Sequence, residues 1–344
     1  MTLKVDPGAA QQKVKDRYLF FARHEVRGRC SLFEDLALRI ADDPELIAVI
    51  SRLPENKRQP NLILASLRKL LGRVPTFNEV RAVIFDDLHR LTEVVLSHST
   101  QTNEPGRCAT LLPLLCQLRQ PLALLELGAS AGLCLIPDRY NYQYNSTFLR
   151  NDNSDPGLVL SCTIHGSVPI PDVMPEIVWR AGLDSNPLNV RNPDHRAWLE
   201  TLIWPSEHDR LNRLRVAMDL AASEEMHLEQ GDLHTADLDR LCAQASKDAT
   251  PVIFHSAVLC YTLDQEARDA FVKRVGGLTD VWISNESPEL YSAFGKDLIP
   301  ARHDSNFLMA LNGRPLAWTN PHGMSMTWID SAPYATARGP QRHS

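Results

Sequence analysis

The hydrophobic pattern of this chain changes character near residue 120. Before that point apolar residues recur at helical spacing, and helices are predicted over 58–71, 77–97 and 107–119. Asp43 followed by Pro44 predicts a further helix start, since aspartate caps a helix and proline suits its first turn. The segment shows no alternating strand pattern, so we expect an all-helical N-terminal region.

After Pro121 short apolar runs alternate with helical patterns, which include 205–222 and 264–275. Such alternation predicts a parallel sheet with helices on both faces. The predicted strands are Leu122–Leu127, Ile177–Gly182, Met226–Gln230, Val252–His255, Val281–Asn285, Phe307–Leu311 and Met324–Ile329. The last two are close together in the chain, across Asn312-Gly313 and a Pro/Asn/Gly-rich link, and are predicted to be an antiparallel pair.

The predicted fold class is therefore α/β. It comprises a Rossmann-like, seven-stranded, mostly parallel sheet with a terminal antiparallel pair, preceded by an all-helical region. We expect residues 1–120 to form a helical lid or substrate domain and residues 121–331 to form the Rossmann-like domain. Residues 332–344 are expected to be a disordered tail.

Composition narrows the class of protein without naming a chemistry. Hydrophobic residues make up 44% of the 344 and charged residues 23%, as in ordinary soluble proteins. The net charge of −6 gives no sign of a nucleic-acid partner, and no apolar stretch is long enough to span a membrane. The seven scattered cysteines favour reduced thiols and a cytoplasmic location, and no histidine or cysteine motif indicates a metal site.

The stretch from Leu124 to Gly132 carries the clearest chemical signal. A buried strand ends at Glu126, and small residues follow at alternate positions as Gly128, Ser130 and Gly132. This spacing is typical of a nucleotide-binding loop, in which a helix follows the turn and its N-terminus offers free backbone amides to a ligand. It also fits the G-x-S-x-G turn of a serine hydrolase. A third interpretation is a tight turn whose small residues serve packing alone.

Polar residues also follow the later strands, and in a parallel sheet such residues meet at one edge. Asp184 ends the second strand, where an acid holds a ribose or merely caps a helix. Asp232 and Leu233 follow the third strand and suit an adenine ring, or an ordinary turn. At the ends of the next two strands, the candidates for acid–base chemistry are His255, Tyr261 and Glu286.

Taken in order, Glu126-x-Gly128, Asp184 and Gly231-Asp232 resemble the motifs of class I S-adenosylmethionine-dependent methyltransferases. More closely, the stretches 126–133, 180–188 and 254–259 resemble an uncharacterised bacterial domain-of-unknown-function family. The methyltransferase resemblance implies S-adenosylmethionine as cofactor. It places Glu126, Gly128, Ser130 and Gly132 along the methionine part, Asp184 at the ribose, and Asp232 with Leu233 at the adenine.

The expected function is therefore methyl transfer to an oxygen or nitrogen of a small-molecule substrate. His255 would take the acceptor's proton, with Glu286 or Tyr261 orienting it. Two alternatives stay open. One is a protein on the same fold that binds a nucleotide-like ligand without turnover. The other is a serine hydrolase with Ser130 as nucleophile, His322 as base, and Asp232 or Asp280 between them.

Overall fold

The computed structural model describes residues 7–151, 157–261, 264–290 and 306–329. Within the described part of the chain the all-helical N-terminal region is confirmed, since strands begin only at Leu122. The helices of this region are α1 (Pro7–Phe20), α2 (Ser31–Ala41), α3 (Pro44–Ile50), α4 (Pro60–Leu71), α5 (Phe77–Asp86), α6 (Leu88–Ser97) and α7 (Cys108–Leu115).

Local side chains explain where these helices begin. The Asp43 side chain accepts hydrogen bonds from the amides of Glu45 and Leu46, so the predicted cap of α3 is confirmed. Thr76 and Glu79 form a reciprocal capping box at the start of α5. The single helix predicted over 77–97 is instead two helices that meet at Asp87.

The strands of the second region all join one mixed sheet. They are β1 (Leu122–Leu127), β2 (Asn141–Tyr144), β3 (Thr147–Leu149), β4 (Val159–His165), β5 (Ile177–Asp184), β6 (His227–Gln230), β7 (Thr250–Ser256), β8 (Trp282–Glu286), β9 (Phe307–Leu311), β10 (Arg314–Thr319) and β11 (Ser325–Trp328). The remaining helices are α8 (Pro193–Leu202), α9 (His208–Ser223), α10 (Leu238–Cys242) and α11 (Gln265–Gly276).

The prediction of seven strands is wrong, because the sheet of the described residues has eleven. Their order is β3-β2-β4-β11-β10-β9-β8-β7-β1-β5-β6. The five strands β6-β5-β1-β7-β8 are all parallel to their neighbours and follow the doubly wound order, in which the first and fourth parallel strands lie side by side. The topological switch point therefore lies between β1 and β7.

Two local features account for the missed strands. The segment between β1 and β5 contains β2, β3 and β4, which are short or lack a clear alternation of apolar and polar residues, and sequence analysis did not assign them to the sheet. Pro315 lies inside β10, and proline argues against a strand interior. Consequently β9 pairs with β10 and not with β11, so the predicted terminal pair is corrected to a three-stranded antiparallel arrangement.

Contacts divide the chain into two units, Met1–Thr102 with Arg191–Arg215, and Asn103–Val190 with Val216–Ser344. In the first unit, the indole N–H of Trp204 donates to the Asn61 amide oxygen at 3.0 Å, which ties the later segment to the helical one. That the helical region serves as a lid stays a prediction. The predicted tail lies outside the described residues. No helix among these residues is long and apolar enough to cross a bilayer.

The second unit buries its sheet on both faces. On one face Leu125 and Ile253 pack with Phe271 and Val275 of α11. Because side chains alternate along a strand, Glu126 and Phe254, which are register partners, lie on the opposite face. Every residue of α7 is buried, as is expected of a helix that is apolar on all sides.

Candidate functional site

The loop that follows β1 has left-handed backbone at three positions, two of them glycines, for which this conformation carries no steric cost. Gly128, Ser130 and Gly132 have φ angles of 77°, 48° and 72°. A Cβ atom on Gly128 would lie 2.2 Å from Cγ2 of Val258, so glycine is required there by space as well as by conformation. The predicted tight turn is thus present, but turns and a short 3₁₀ helix at Pro137–Arg139 follow it where an α-helix was expected.

The backbone amides of this loop are engaged within the protein. Gly128 and Ala129 donate to the Leu183 carbonyl oxygen at 2.7 and 3.2 Å, and Gly132 donates to that of Ala129 at 2.7 Å. Ser130 donates to Asp184 at 2.8 Å. The loop therefore does not present the helix N-terminus with free amides that the sequence suggested for a ligand.

Two polar side chains hold the loop in place. The Asp184 carboxylate accepts from the amides of Ser130 and Asn186, both at 2.8 Å. Asn103 accepts from the amide of Ala131 at 3.0 Å and donates to Oγ of Ser130 at 2.8 Å. Asp184 therefore lies at the loop, and the hydrogen bonds that it accepts from Ser130 and Asn186 are structural. Asn103 was missed, because it precedes α7 and no strand-end pattern marks it.

The predicted adenine residues follow β6, where the Gly231 amide donates to the Asp184 carbonyl oxygen at 2.9 Å. Asp232 is exposed, and its carboxylate accepts from the amide of His234 at 2.7 Å within a turn. Leu233 packs against the apolar cluster that contains Leu183 and Phe271. These contacts are those of a turn aspartate and a core leucine.

His255 and Glu286 form a buried pair at the ends of β7 and β8. Nδ1 of His255 lies 2.8 Å from Oε1 of Glu286, and neither side chain is exposed. The Glu286 carboxylate also accepts from the amide of Val258 at 2.8 and 3.1 Å, so it fixes the loop after β7. The His255 ring packs against Phe271 and Trp282, at 5.4 and 5.9 Å between centroids. The Tyr261 side chain lies outside the described residues.

A small cavity of about 20 Å³, enough for about one water molecule, lies at the carboxyl edge, beside the switch point between β1 and β7. We call it the switch-point cavity. Its walls are formed by Arg107, Thr110, Leu111, Glu126, Cys134, Phe254, His255, Ser256, Ile283, Asn285 and Met309. All of them belong to the second unit.

Two buried polar atoms on the Glu126 face of this wall, Oε2 of Glu126 and Oγ of Ser256, lack a hydrogen-bond partner among the described residues. Nε2 of His255 is a third such atom, but its ring lies on the α11 face. Burial raises the pKa of Glu126 well above its usual value, and nearby Cys134 and Asp184 act in the same direction against the charge of Arg107. Because buried polar groups are normally paired, these atoms mark the place where a ligand or water would bind.

Arg107 supplies the positive charge of the switch-point cavity. Its guanidinium donates to the carbonyl oxygens of Pro321 and Ser256 at 2.9 and 3.1 Å, which orients it at the wall. Sequence analysis missed this residue because it precedes α7 and lies nineteen positions before Glu126. Its position in the wall comes from tertiary structure alone.

Comparison with known families agrees with the resemblance found in the sequence. Residues 15–328 match the family described as "Uncharacterized protein conserved in bacteria (DUF2332)". The chain belongs to this family. No curated protein was found to match it. The DUF2332 match spans the loop after β1, the His255–Glu286 pair and the switch-point cavity, and its description assigns no activity to them.

The residues of the hydrolase alternative have other partners in this DUF2332 protein. Oγ of Ser130 accepts a hydrogen bond from Asn103 and is only 6% exposed. Nδ1 of His322 lies 3.6 Å from Oε2 of Glu104, a fully buried carboxylate. This arrangement gives no support to a serine nucleophile with His322 as its base, since such a pair needs a direct hydrogen bond.

Proposed function

We propose that this protein binds S-adenosylmethionine at the switch-point cavity and transfers its methyl group to an oxygen or nitrogen of a small molecule. The supporting observation is the buried, unpartnered carboxyl group of Glu126 at the switch point of a doubly wound sheet. Ligands of such sheets bind beyond the carboxyl ends of the strands at that point. S-adenosylmethionine supplies an activated methyl group, so the protein's task is alignment in a dry pocket.

The residues of the cavity suit the polar end of that molecule. Glu126 and Ser256 provide hydrogen-bond acceptors for a cationic group, and Arg107 provides a charge for a carboxylate. The side chains of Phe254 and Met309 exclude water from the same space. Gly128, Ser130 and Gly132 bring Glu126 into place by shaping the loop.

His255 is the proposed base for the acceptor, with Glu286 as its orienting partner. When Nδ1–H donates to the Glu286 carboxylate, Nε2 becomes the basic nitrogen of the ring. Nε2 is buried without a hydrogen-bond partner among the described residues, which supports a role in taking a proton. The ring packs against Phe271 of α11, however, on the face of the sheet opposite to Glu126 and Phe254, so the acceptor would have to reach it past the ends of β7 and β8.

A second candidate is binding of a small polar ligand without turnover. The observation that favours it is the internal use of Asp184 and of the loop amides, which a ribose and a methionine carboxylate would otherwise occupy. Asp232 and Leu233 likewise have the contacts of a turn and a core residue. If this second candidate is right, the switch-point cavity binds a small polar ligand that has no adenosyl group.

Calorimetric titration with S-adenosylmethionine and S-adenosylhomocysteine tests the proposal. We expect both to bind, and Glu126→Gln to weaken S-adenosylmethionine binding by about tenfold, or 1.4 kcal/mol. The exposed Glu93 offers a matched control, since Glu93→Gln should leave affinity unchanged. Because a cation favours the ionised carboxylate, affinity for S-adenosylmethionine should rise with pH in the native protein and stay flat in Glu126→Gln.

The outcomes separate the two candidates. Methylation of members of an acceptor panel, lost in His255→Gln while S-adenosylhomocysteine still binds, supports the methyltransferase. Binding without methylation of any acceptor favours the second candidate. Failure of both adenosyl ligands to bind overturns the methyltransferase proposal.

A further inference from the structure

Two of the seven cysteines lie together beside the switch-point cavity. Cys108 begins α7, and Cys134 follows the loop after β1. Their thiols are close enough for each to affect the pKa of the other. Sγ of Cys134 also contacts the Glu104 carbonyl oxygen at 3.6 Å, and that of Cys108 contacts the Leu133 carbonyl oxygen at 3.8 Å. Cys134 is 9% exposed and forms part of the cavity wall, whereas Cys108 is fully buried.

The surroundings of the two thiols give them different acidities. The neighbouring Cys108 thiol lowers the pKa of Cys134, and the charge of Arg107 adds to this effect, whereas burial and Glu104 oppose it. Burial raises the pKa of Cys108 well above its usual value. A thiolate is the reactive form of cysteine, so the pair has one nucleophilic member and one proton-bearing neighbour.

The other thiols serve as internal comparisons. Burial raises the pKa of Cys116 and of Cys162 to about 12. Cys260 is exposed on the surface, but desolvation of its sulfur and the Glu286 carboxylate raise its pKa to about 11. Exposure alone would make Cys260 react first, whereas acidity and the neighbouring thiol favour Cys134.

We propose that Cys134 is a modification site for a small hydroperoxide that enters the switch-point cavity, with Cys108 as the thiol that resolves the product. The Cys134 thiolate attacks the peroxide, the O–O bond breaks, and a sulfenic acid and an alcohol or water form. The Cys108 thiol then attacks that sulfur, releasing water and leaving a Cys108–Cys134 disulfide. The peroxide is reduced by two electrons and the two thiols are oxidised by two.

This proposal is independent of methyl transfer and connects the oxidation state of the chain to its cavity. Cys134 forms part of the wall that also contains Glu126 and Arg107. A disulfide to Cys108 would fix the Cys134 sulfur and change its place in this wall. Ligand affinity at the cavity should therefore differ between the reduced and the oxidised protein.

The test is site-resolved mass spectrometry of the full-length native protein treated with hydrogen peroxide. We expect the chain to lose two hydrogens, with the peptides of Cys108 and Cys134 joined and restored by a thiol reductant. Oxidation of Cys134 should proceed at least about tenfold faster than oxidation of Cys260. Because this comparison is made within the wild-type chain, it does not depend on any variant folding.

Variants identify the role of each thiol. In Cys108→Ser, dimedone should trap a sulfenic acid on Cys134 and no disulfide should form; in Cys134→Ser, neither product should appear. Cys162→Ser removes another buried thiol and should behave as the wild type. Oxidation confined to Cys260, or a Cys134 that stays a free thiol while Cys260 is consumed, overturns the proposal.

Discussion

At the scale of single residues, Glu126 is a carboxyl group with no hydrogen-bond partner in the part of the chain that the structure describes. Its Oε2 atom is buried among apolar walls formed by Phe254, Ile283 and Met309. Such a group costs folding free energy, most of all when ionised. A natural sequence that carries this cost at a sheet's switch point indicates that the residue serves a ligand and not stability.

We therefore expect Glu126 to make stability fall as pH rises. Below about pH 4.3, both the folded and the unfolded chain carry the proton, so the residue has no effect. Above it the unfolded chain loses the proton first, since the folded pKa is raised, and stability falls by up to about 1.4 kcal/mol per pH unit until the folded pKa is passed.

Glu126→Gln removes this effect because an amide does not titrate. Urea denaturation across pH should show the variant gaining stability relative to the wild type as pH rises. Glu93→Gln, at an exposed position of α6, should keep the wild-type dependence. Parallel curves for wild type and Glu126→Gln would contradict the raised pKa.

Asn103 illustrates the opposite case, a buried polar side chain that is fully used. Its amide bonds both the Ser130 hydroxyl and the Ala131 amide. We expect Asn103→Ala to lower the free energy of unfolding by about 2–4 kcal/mol, because the Ala131 amide and the Ser130 hydroxyl lose a partner in a buried place. Chemical denaturation measures the change in the free energy of unfolding. As a control, Asn56→Ala, at an exposed site, should change it by less than about 0.5 kcal/mol.

At the scale of elements, the loops after β1 and β7 are built against each other. Glu286 holds the amide of Val258, and the Val258 side chain fills the space where Gly128 has no Cβ. Ala257, beside it, has a φ of 57°, an uncommon backbone for a residue with a side chain. The carboxyl edge thus depends on paired loops and not on either loop alone.

Gly128→Ala should destabilise the fold by about 2–5 kcal/mol, through the left-handed φ and the clash with Val258. In Gly128→Ala/Val258→Ala the clash is relieved and only the backbone cost remains. The double-mutant cycle should therefore show a favourable coupling of at least about 1 kcal/mol. As a control, Gly276→Ala in α11 places its Cβ in open space and should be neutral or slightly stabilising. Additive effects of the substitutions at 128 and 258 would contradict the contact between the two loops.

Elements with strong local signals were predicted well from sequence. Strands β1, β7 and β8 and helix α11 follow from uninterrupted apolar runs and clear caps, and the structure has them within a few residues. The helix expected after Gly132 is absent, since Pro137 interrupts the segment and Asn103 and Asp184 already satisfy the loop amides. Which amides a distant side chain will satisfy cannot be seen in local sequence.

At the scale of the whole molecule, the sequence indicated that Glu126 lies at a ligand edge but not what completes the cavity. Arg107 and Thr110 reach the cavity from before β1, on a segment that sequence analysis placed with the N-terminal helices. Contacts assign residues 103–120 to the unit that contains the sheet. Such long-range assignment depends on packing of α7 over the sheet, which hydrophobic periodicity does not encode.

This assignment predicts how fragments of the chain behave. A fragment of residues 121–344 lacks α7, whose eight residues are all buried, and also Asn103 and Arg107. We expect it to show no cooperative unfolding, since the sheet face under α7 would be bare, whereas a fragment of residues 103–344 should unfold cooperatively. The unfolding of both fragments in urea can be followed by near-ultraviolet circular dichroism, to which the buried Trp282 and Trp318 contribute.

The fragment of residues 103–344 also carries 191–215 without the helices it packs with, and loss of that packing could by itself prevent folding. Leu112→Ala in the full chain resolves this case, because Leu112 is fully buried in α7. It should cost about 2–5 kcal/mol, and Leu96→Ala, at a side chain 47% exposed, much less. Two results together would place the boundary between the units at residue 120. They are equal stability of the fragments 121–344 and 103–344, and no change in the free energy of unfolding in Leu112→Ala.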